Sequence, residues 1–349
     1  MPDEPAASAG SRVAAPANQS GRHRAVAPGG RRRLAAVLRL AGSRPVRWVF
    51  LAATVGLGGY AIAHDWSHVQ AGLSRLGPLV TVSALACVLL ALLATLQVYR
   101  VLLTALGSPL PARAAAQILF VGQLGKYLPG SVWPVLAQMQ IGAAHKVPRS
   151  RSASASVLAM LMSLVSGILI GLVMLPFAGH AAPYRWVFVL APVVGVCMHP
   201  KALNRILDRL LRLARRPPLE RPLTGGTVAA ALGWGVVSWI FFGLQIWLLG
   251  SRLGLAGGFG LLLAIGGFAF AWCAGFLVVF APAGAGVREI VLIAVLVGVM
   301  SRGDATAVAL VSRVLMTIGD LLSAGAAAWL ARPMSWRSAR RPAPRPRRR

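Results

Sequence analysis

Two strongly apolar stretches of the chain are each interrupted by a turn rich in proline and glycine. The first interruption lies within residues 123–133 and the second within residues 280–289. Charged residues stand beside both turns, namely Lys126, Arg288 and Glu289. Non-helical backbone at membrane depth is tolerated only where protein buries it or where it lines a cavity. Paired interruptions in corresponding places of two halves therefore indicate a transporter-like binding site.

The composition restricts the chain to the class of membrane proteins. Hydrophobic residues make up 57% of the 349 residues and charged residues only 13%, whereas soluble domains carry roughly 25% charged residues. We expect an all-α polytopic membrane protein with about six spanning helices and two re-entrant hairpins, about eight helical elements in all. The hairpins are expected to enter from opposite sides of the membrane, as in an inverted repeat.

The chain divides into a membrane domain between two basic tails. Residues 1–44 and 332–349 lack apolar periodicity and are predicted to be disordered cytoplasmic tails, and residues 45–331 form the transmembrane domain. The first hairpin is expected at 115–141 and the second at 259–300. Either arm of the first hairpin has about a dozen residues, too few to cross a hydrocarbon core of ~30 Å. The predicted spans lie roughly at 46–64, 79–106, 153–178, 184–199, 225–250 and 305–331.

An amphipathic helix is predicted at 201–216. Its apolar residues recur at i, i+3 and i+4, and its opposite face carries basic residues. Such a helix lies flat on an anionic leaflet, although a plain topogenic loop that happens to be helical fits the same pattern. The apolar residues are Leu203, Ile206, Leu207, Leu210, Leu211 and Ala214, and the basic residues are Lys201, Arg205, Arg209, Arg212, Arg215 and Arg216.

The basic residues predict the orientation of the chain. The formal net charge is +28, and most lysine and arginine residues flank apolar runs rather than forming a nucleic-acid-binding surface. Of the 36 such residues, 28 lie in segments that are cytoplasmic if the N-terminus is cytoplasmic, and 4 lie in external segments. This bias predicts a plasma-membrane protein with both termini in the cytoplasm. The basic tails and helix 201–216 are then expected to contact anionic lipids of the inner leaflet.

Five charged residues lie inside apolar stretches, where charges are costly and each suggests a function. They are Lys126, Arg288, Glu289, Arg313 and Asp320. The helix that follows each turn begins with unpaired N–H groups and the positive end of its dipole, which together favour phosphate. The three cations are expected to strengthen this site, with Glu289 and Asp320 balancing charge or coupling protons. The structural alternative is that Arg288–Glu289 and Arg313–Asp320 neutralise one another or tie helices together.

The turns supply the remaining predicted site residues. Those expected near a lipid headgroup are Tyr127, Pro129, Gly130 and Ser131, and those expected to form the second turn are Pro282, Gly284 and Gly286. We find no Walker loop, zinc-ligand cluster or nucleophile elbow in the sequence. We therefore predict no catalytic residue, no metal site and no cofactor.

The motifs around the two turns resemble those of a bacterial membrane-protein family. They read Gly125-Lys126-Tyr127-Leu128-Pro129-Gly130-Ser131-Val132-Trp133, then Pro282-Ala283-Gly284-Ala285-Gly286-Val287-Arg288-Glu289, and Ser312-Arg313 in the last span. Over roughly residues 45–331 the chain resembles the lysylphosphatidylglycerol synthase transmembrane region, the flippase half of the multiple peptide resistance factors.

The resemblance implies a lipid translocase fold with two re-entrant elements and aminoacylated phosphatidylglycerol as the substrate of the two-domain members. The chain ends about eighteen residues after its last predicted span. We therefore expect no aminoacyl-transferase domain and no enzymatic activity. Similar membrane regions accompany glycosyltransferases that act on polyprenyl-phosphate lipids. The expected function is translocation of a phospholipid or a polyprenyl-phosphate-linked lipid. The alternative is a non-transporting partner that docks a cytoplasmic lipid-modifying enzyme or glycosyltransferase.

Overall fold

The computed structural model describes residues 76–127, 132–174, 222–277, 284 and 286–330, together with isolated positions between 192 and 209. All regular secondary structure in this part of the chain is helical, as the sequence predicts. The α-helices are α1 (Pro78–Ala105), α2 (Ala112–Ala116), α3 (Trp133–Ala144), α4 (Arg149–Met174), α5 (Gly225–Gly250), α6 (Gly257–Leu277), α7 (Val287–Leu296) and α8 (Arg302–Leu330).

Five of these helices are long and apolar enough to cross a membrane, namely α1, α4, α5, α6 and α8. Four of them confirm the helices predicted at 79–106, 153–178, 225–250 and 305–331. The predicted span 46–64 and both tails lie outside the described residues, and so does most of 184–199. The chain is therefore a multi-pass membrane protein.

The first hairpin is a broken helix with two closely packed arms. After α2 the chain forms a π-helical turn at Gln117–Val121 and a 3-10 turn at Leu124–Tyr127. At the base of the hairpin, His145 Nε2 lies 2.6 Å from Gln117 Oε1. Nearer the tip, Gly125 lies so close to the backbone of α3 that a side chain at this position would collide with it. The break predicted within 115–141 is confirmed, whereas membrane re-entrance remains a prediction.

A buried polar cluster attaches the first hairpin to α4. The Ser152 hydroxyl donates to the main-chain oxygen of Gln138 at 2.9 Å, and the Ser156 hydroxyl donates to the Gln138 side-chain oxygen. All three residues are buried. Because an unpaired polar group is expensive in an apolar core, this cluster holds α3 in one position on α4.

The second hairpin has arms of unequal length. Helix α6 has 21 residues and α7 has 10, which correspond to about 31 Å and about 15 Å of helix. Gly275 of α6 packs on Gly284 and on the Cβ atom of Arg288, and Gly267, two turns earlier in α6, packs on Val295 of α7. The two arms therefore run antiparallel. The sequence predicts one re-entrant hairpin over residues 259–300, but its first arm, α6, is long enough to span the membrane. The reason is that no proline interrupts its apolar run before the break.

The spanning helices pack through small residues and aromatic rings. Gly167 of α4 lies against Trp239 of α5 and Cys273 of α6, with too little room for a side chain. A glycine at this position therefore lets α4 approach α5 and α6 closely. The Trp239 ring in turn makes tilted contact with Phe268 at 6.4 Å between ring centroids.

The predicted amphipathic segment 201–216 is described only in part. Residues 201, 202, 204, 205, 208 and 209 are helical. Lys201, Arg205 and Arg209 are exposed, as predicted for the basic face. Asn204 is hydrogen-bonded twice to the backbone of Leu223, at 3.0 and 2.8 Å, which holds this segment beside the start of α5. Leu203, Ile206, Leu207, Leu210, Leu211 and most of the remaining segment lie outside the described residues.

Candidate functional site

Helix α8 connects the charged residues of the two hairpins. Arg313 Nη1 donates to Glu289 Oε1 of the second hairpin at 2.8 Å. Asp320 Oδ2 lies 2.6 Å from Lys126 Nζ of the first hairpin. The structural alternative paired Arg313 with Asp320, but these two residues pair with different hairpins. Its other pair, Arg288–Glu289, is present. The five charged residues singled out in the sequence come together along one side of this helix.

The Tyr127 hydroxyl completes the pair at the first hairpin. It donates to Asp320 Oδ2 at 2.6 Å, the same oxygen that Lys126 contacts. The Lys126 ammonium also lies 5.4 Å from the centroid of the Tyr127 ring, within cation–π distance. Tyr127, predicted as a headgroup ligand, is thus placed inside the charged cluster by its bond to a carboxylate.

Glu289 forms the centre of the pairs at the second hairpin. Its Oε1 accepts from both Arg288 Nη2 at 3.1 Å and Arg313 Nη1 at 2.8 Å. Its Oε2 accepts from the Gly286 N–H at 2.6 Å, so the carboxylate caps the first turn of α7. The sequence predicts open N–H groups for phosphate at this helix end, but the Gly286 N–H is already taken by Glu289.

The predicted turn glycines have the backbone conformation that requires glycine. Gly284 has φ 67° and Gly286 has φ 84°, in the left-handed region that other residues rarely adopt. This conformation directs the chain from the break into α7 and places Arg288 and Glu289 in its first turn. Pro282, Pro129, Gly130 and Ser131, also predicted as site residues, lie outside the described residues.

Arg288 is packed within the cluster. Its Nη1 lies 3.3 Å from the Met316 sulfur of α8, and its guanidinium lies 5.9 Å from the centroid of the Phe268 ring of α6. Only 11% of its side chain is exposed. The guanidinium therefore joins α6, α7 and α8 at one point.

Lys126 and Arg313 are the accessible cations. Their side chains are 25% and 22% exposed, whereas the side chains of Asp320 and Glu289 are 7% and 10% exposed. A group approaching the cluster meets positive charge first. The cluster contains three cations and two carboxylates, so it carries a formal charge of +1. Because a net charge is costly in surroundings of low dielectric, the site favours an anion.

Sequence reasoning missed the uncharged residues of the site. Met316 and Phe268 surround Arg288, and Thr317 donates to the main-chain oxygen of Arg313 one turn before it. Ser312, five residues before Thr317 on α8, is also buried. Its hydroxyl oxygen lies 3.4 Å from Oε1 of the buried Gln245 of α5. Ser312 stands in the Ser312-Arg313 motif. Nothing in the sequence singles out the others, because apolar and small polar residues are common in every spanning helix. The one signal that could have identified Met316 and Thr317 was their spacing of three or four residues from both Arg313 and Asp320 on the same helix.

The described residues contain no group of three or more histidine, cysteine, aspartate or glutamate side chains arranged to hold a metal ion. Cys87 and Cys273 are buried free thiols.

Comparison with models of known protein families identifies the family. Residues 47–324 match the family model described as the lysylphosphatidylglycerol synthase TM region. This range includes both hairpins and all five residues of the charged cluster. A search of curated proteins finds no relative of the chain.

Proposed function

The chain belongs to the lysylphosphatidylglycerol synthase TM region family, and we propose that it moves a phosphate-bearing lipid across the plasma membrane. The lipid headgroup binds at the cluster formed by Lys126, Arg288 and Arg313, between the two hairpins. The proposal involves no covalent step, because these residues bind and release the phosphate without making a bond to it.

The observation that carries the proposal is the charge of the cluster. Three cations and two carboxylates lie together on helices of a multi-pass membrane protein, and the two most exposed side chains are cationic. Where charged residues serve only to hold helices together, cations and carboxylates can be equal in number, as they are in isolated ion pairs. An excess of one positive charge matches a phosphodiester, which carries one negative charge.

The carboxylates have a role when no lipid is bound. Lys126 and Arg313 would be costly without a counter-ion at membrane depth, and Asp320 and Glu289 supply it at 2.6 and 2.8 Å. An arriving phosphate competes for the same cations and partly replaces the carboxylates. The empty site therefore stays folded, and the phosphate is released when its cations return to the carboxylates.

We place both termini in the cytoplasm and the two hairpins as re-entrant elements from opposite sides. Exposed basic residues support this orientation, since Arg113, Lys146 and Arg149 lie around the base of the first hairpin. Because cytoplasmic segments carry an excess of lysine and arginine, these residues favour a cytoplasmic location for this end of the molecule. The charged tips of both hairpins then lie near the middle of the membrane.

The test is lipid movement in reconstituted vesicles. A phospholipid with a fluorescent headgroup is placed in both leaflets, and dithionite reports how much of it becomes accessible from outside. Vesicles with the unaltered protein should lose nearly all fluorescence, whereas Arg288→Ala and Glu289→Gln should behave as protein-free vesicles. Arg252→Ala is the matched control, because it changes an exposed arginine between α5 and α6, at the end of α6 opposite to the break. Normal transport by both cluster variants would rule out the site.

Mass spectrometry of co-purified lipids identifies the substrate class. Enrichment of one phospholipid over the bulk membrane would favour a glycerophospholipid, and enrichment of a polyprenyl-phosphate-linked lipid would favour that class. In either case Arg288→Ala should lose the enrichment. Bulk lipid alone in both samples would argue against translocation.

A second candidate function is docking of a cytoplasmic lipid-modifying or glycosyl-transfer enzyme. It is supported by the exposed Lys201, Arg205 and Arg209 on a helical segment that Asn204 attaches to the start of α5. These cations suit either an anionic leaflet or an acidic protein surface. Deletion of residues 1–33 and 338–349 separates the two functions. Loss of cellular function with lipid movement intact would support docking.

A further inference from the structure

We infer that Arg100 of α1 binds the phosphate of an anionic phospholipid at the outer surface of the protein. Arg100 is a further cation on a spanning helix, five residues before the end of α1 at Ala105, and it takes no part in the proposed translocation. A charged residue in such a place is costly and is by default a candidate for a function. The lipid held there stays at the surface and is not the one that is moved, so this site is independent of the proposed function.

The face of α1 that contains Arg100 points out of the helix bundle. Its residues recur every three or four positions, are exposed or half-buried, and change from apolar to polar along the helix. The apolar residues are Leu79, Val82, Ala86, Leu90 and Leu93, and the polar residues are Gln97, Arg100 and Thr104. On the opposite face, Val88 and Leu92 lie against Gly319 of α8. Arg100 is therefore turned away from the charged residues of α8.

The level of Arg100 along α1 matches that of the lipid phosphates. Arg100 lies 21 positions after Leu79, which is about 32 Å along the helix axis. The hydrocarbon core of a bilayer is about 30 Å thick, so a core that begins at Leu79 ends close to Arg100. Arg151 Nη1, near the start of α4, donates to the main-chain oxygen of Gly107 at 2.9 Å, which places this end of α1 beside the base of the first hairpin. In the orientation proposed above, the lipid belongs to the cytoplasmic leaflet.

The guanidinium of Arg100 is held in place and still lacks an anion. Its Nη1 donates to Gln97 Oε1 at 2.8 Å. Its Nε is buried and has no hydrogen-bond partner, and no ion pair of the described residues includes Arg100. A buried donor without a partner costs free energy. Because the side chain as a whole is only half-buried, a small rotation presents Nε and Nη2 together to a phosphate, which a guanidinium binds through two parallel hydrogen bonds.

The surroundings of Arg100 favour a lipid phosphate over a carboxylate of another helix. Helix–helix contacts in membranes are rich in small residues, whereas four of the five apolar residues on this face are leucine or valine. Leu79 and Val82 are 79% and 64% exposed, as expected for side chains that contact acyl chains. A lipid with a net negative charge is preferred to a zwitterionic one, because a zwitterionic headgroup carries its own cation beside the phosphate.

The experiment measures which lipid lies beside Arg100. In a protein with Cys87, Cys197 and Cys273 replaced by serine, Thr104→Cys carries a bimane fluorophore, since Thr104 is exposed one turn beyond Arg100 on the same face. The protein is reconstituted in phosphatidylcholine vesicles that contain a small fraction of phosphatidylglycerol or phosphatidylcholine with a nitroxide quencher on one acyl chain. We expect the phosphatidylglycerol to bind beside the fluorophore roughly five times more strongly, the preference that one arginine confers near the membrane surface.

Arg100→Gln should abolish this preference. Arg113→Gln is the matched control, because it removes an exposed arginine shortly after the end of α1, and it should keep the preference. A fluorophore at Val82→Cys, near the other end of the same face, should show none. Gln97→Ala keeps the guanidinium but releases it from its fixed position, so it should show a smaller preference even if Arg100→Gln fails to fold.

Equal quenching by both lipids at Thr104→Cys with Arg100 intact would overturn the inference, and so would a preference that survives Arg100→Gln. Loss of the preference in Arg113→Gln as well would assign it to the basic surface as a whole and not to Arg100. Weak quenching by both lipids at Thr104→Cys, with strong quenching at Val82→Cys, would show that a protein segment covers Arg100 instead of a lipid. Lipid movement in the vesicle assay should be unchanged in Arg100→Gln, and its loss would overturn the separation of this lipid from the transported one.

Discussion

At the scale of single residues, the site depends on carboxylates that serve several donors at once. Asp320 Oδ2 contacts both Lys126 and Tyr127, and Glu289 uses both oxygens for three donors. Breaking a buried pair by removing one partner is strongly destabilising, by about 3–5 kcal/mol, because the other charge stays unpaired. A loss of lipid movement in a single-charge variant is therefore compared with its thermal unfolding, which shows whether the protein still folds.

Tyr127→Phe measures the hydroxyl bond to Asp320. We expect a lower thermal unfolding midpoint, because hydrogen bonds to charged groups contribute about 1.5–3 kcal/mol. A double-mutant cycle with Asp320→Asn isolates this bond from other effects, since the contribution of the hydroxyl should shrink when the carboxylate is gone. Equal effects of Tyr127→Phe in both backgrounds would show that the hydroxyl does not act through Asp320.

Asp320→Asn is expected to destabilise the protein more than a comparable change at the surface. It leaves the Lys126 ammonium without its counter-ion, although the loss is reduced because that side chain is a quarter exposed. Asp304→Asn is the matched control, since Asp304 lies in the first turn of the same helix near its exposed end. Thermal unfolding in detergent compares them, and an equal or smaller shift for Asp320→Asn would contradict the buried ion pair.

At the scale of elements, the first hairpin needs close contact between its arms. Gly125 lies against the backbone at the start of α3, between Trp133 and Pro134. A methyl group there meets main-chain atoms, which cannot move aside as the end of a flexible side chain can. The position of Lys126, the next residue, depends on this contact.

Gly125→Ala should therefore displace Lys126 from Asp320 and reduce lipid movement. Gly233→Ala is the matched control, because a methyl group added at Gly233 in α5 meets nothing within 4 Å. In a helix interior that change is expected to be neutral or stabilising by up to about 1 kcal/mol. Transport rates in vesicles check both variants. Full activity of Gly125→Ala would show that the arms can separate without consequence.

At the scale of the whole molecule, local signals predicted the helices and long-range contacts escaped prediction. The breaks at the two hairpins follow from proline and glycine beside one another in the sequence. Apolar run length likewise predicted α1, α4, α5 and α8. The bond between Tyr127 and Asp320 joins residues 193 positions apart, and only the packing of the hairpins on α8 brings them together. The five charged residues could be selected because a charge inside an apolar stretch is costly, and the Arg288–Glu289 pair of neighbours could be named in advance. The partners of Lys126, Arg313 and Asp320 could not.

Membrane sidedness is a property of the whole chain, and three predicted crossings separate Lys146 from Arg252. These are α4, the predicted span 184–199 and α5, so an odd number of crossings places the two residues on opposite sides. Both residues are exposed. In a protein with Cys87, Cys197 and Cys273 replaced by serine, we expect an impermeant maleimide added to intact cells to label Arg252→Cys and not Lys146→Cys. Labelling of both residues would place them on the same side of the membrane, which requires an even number of crossings between them. The segment 184–199 would then not cross. Labelling of Lys146→Cys alone would keep the three crossings and reverse the orientation that the basic residues predict.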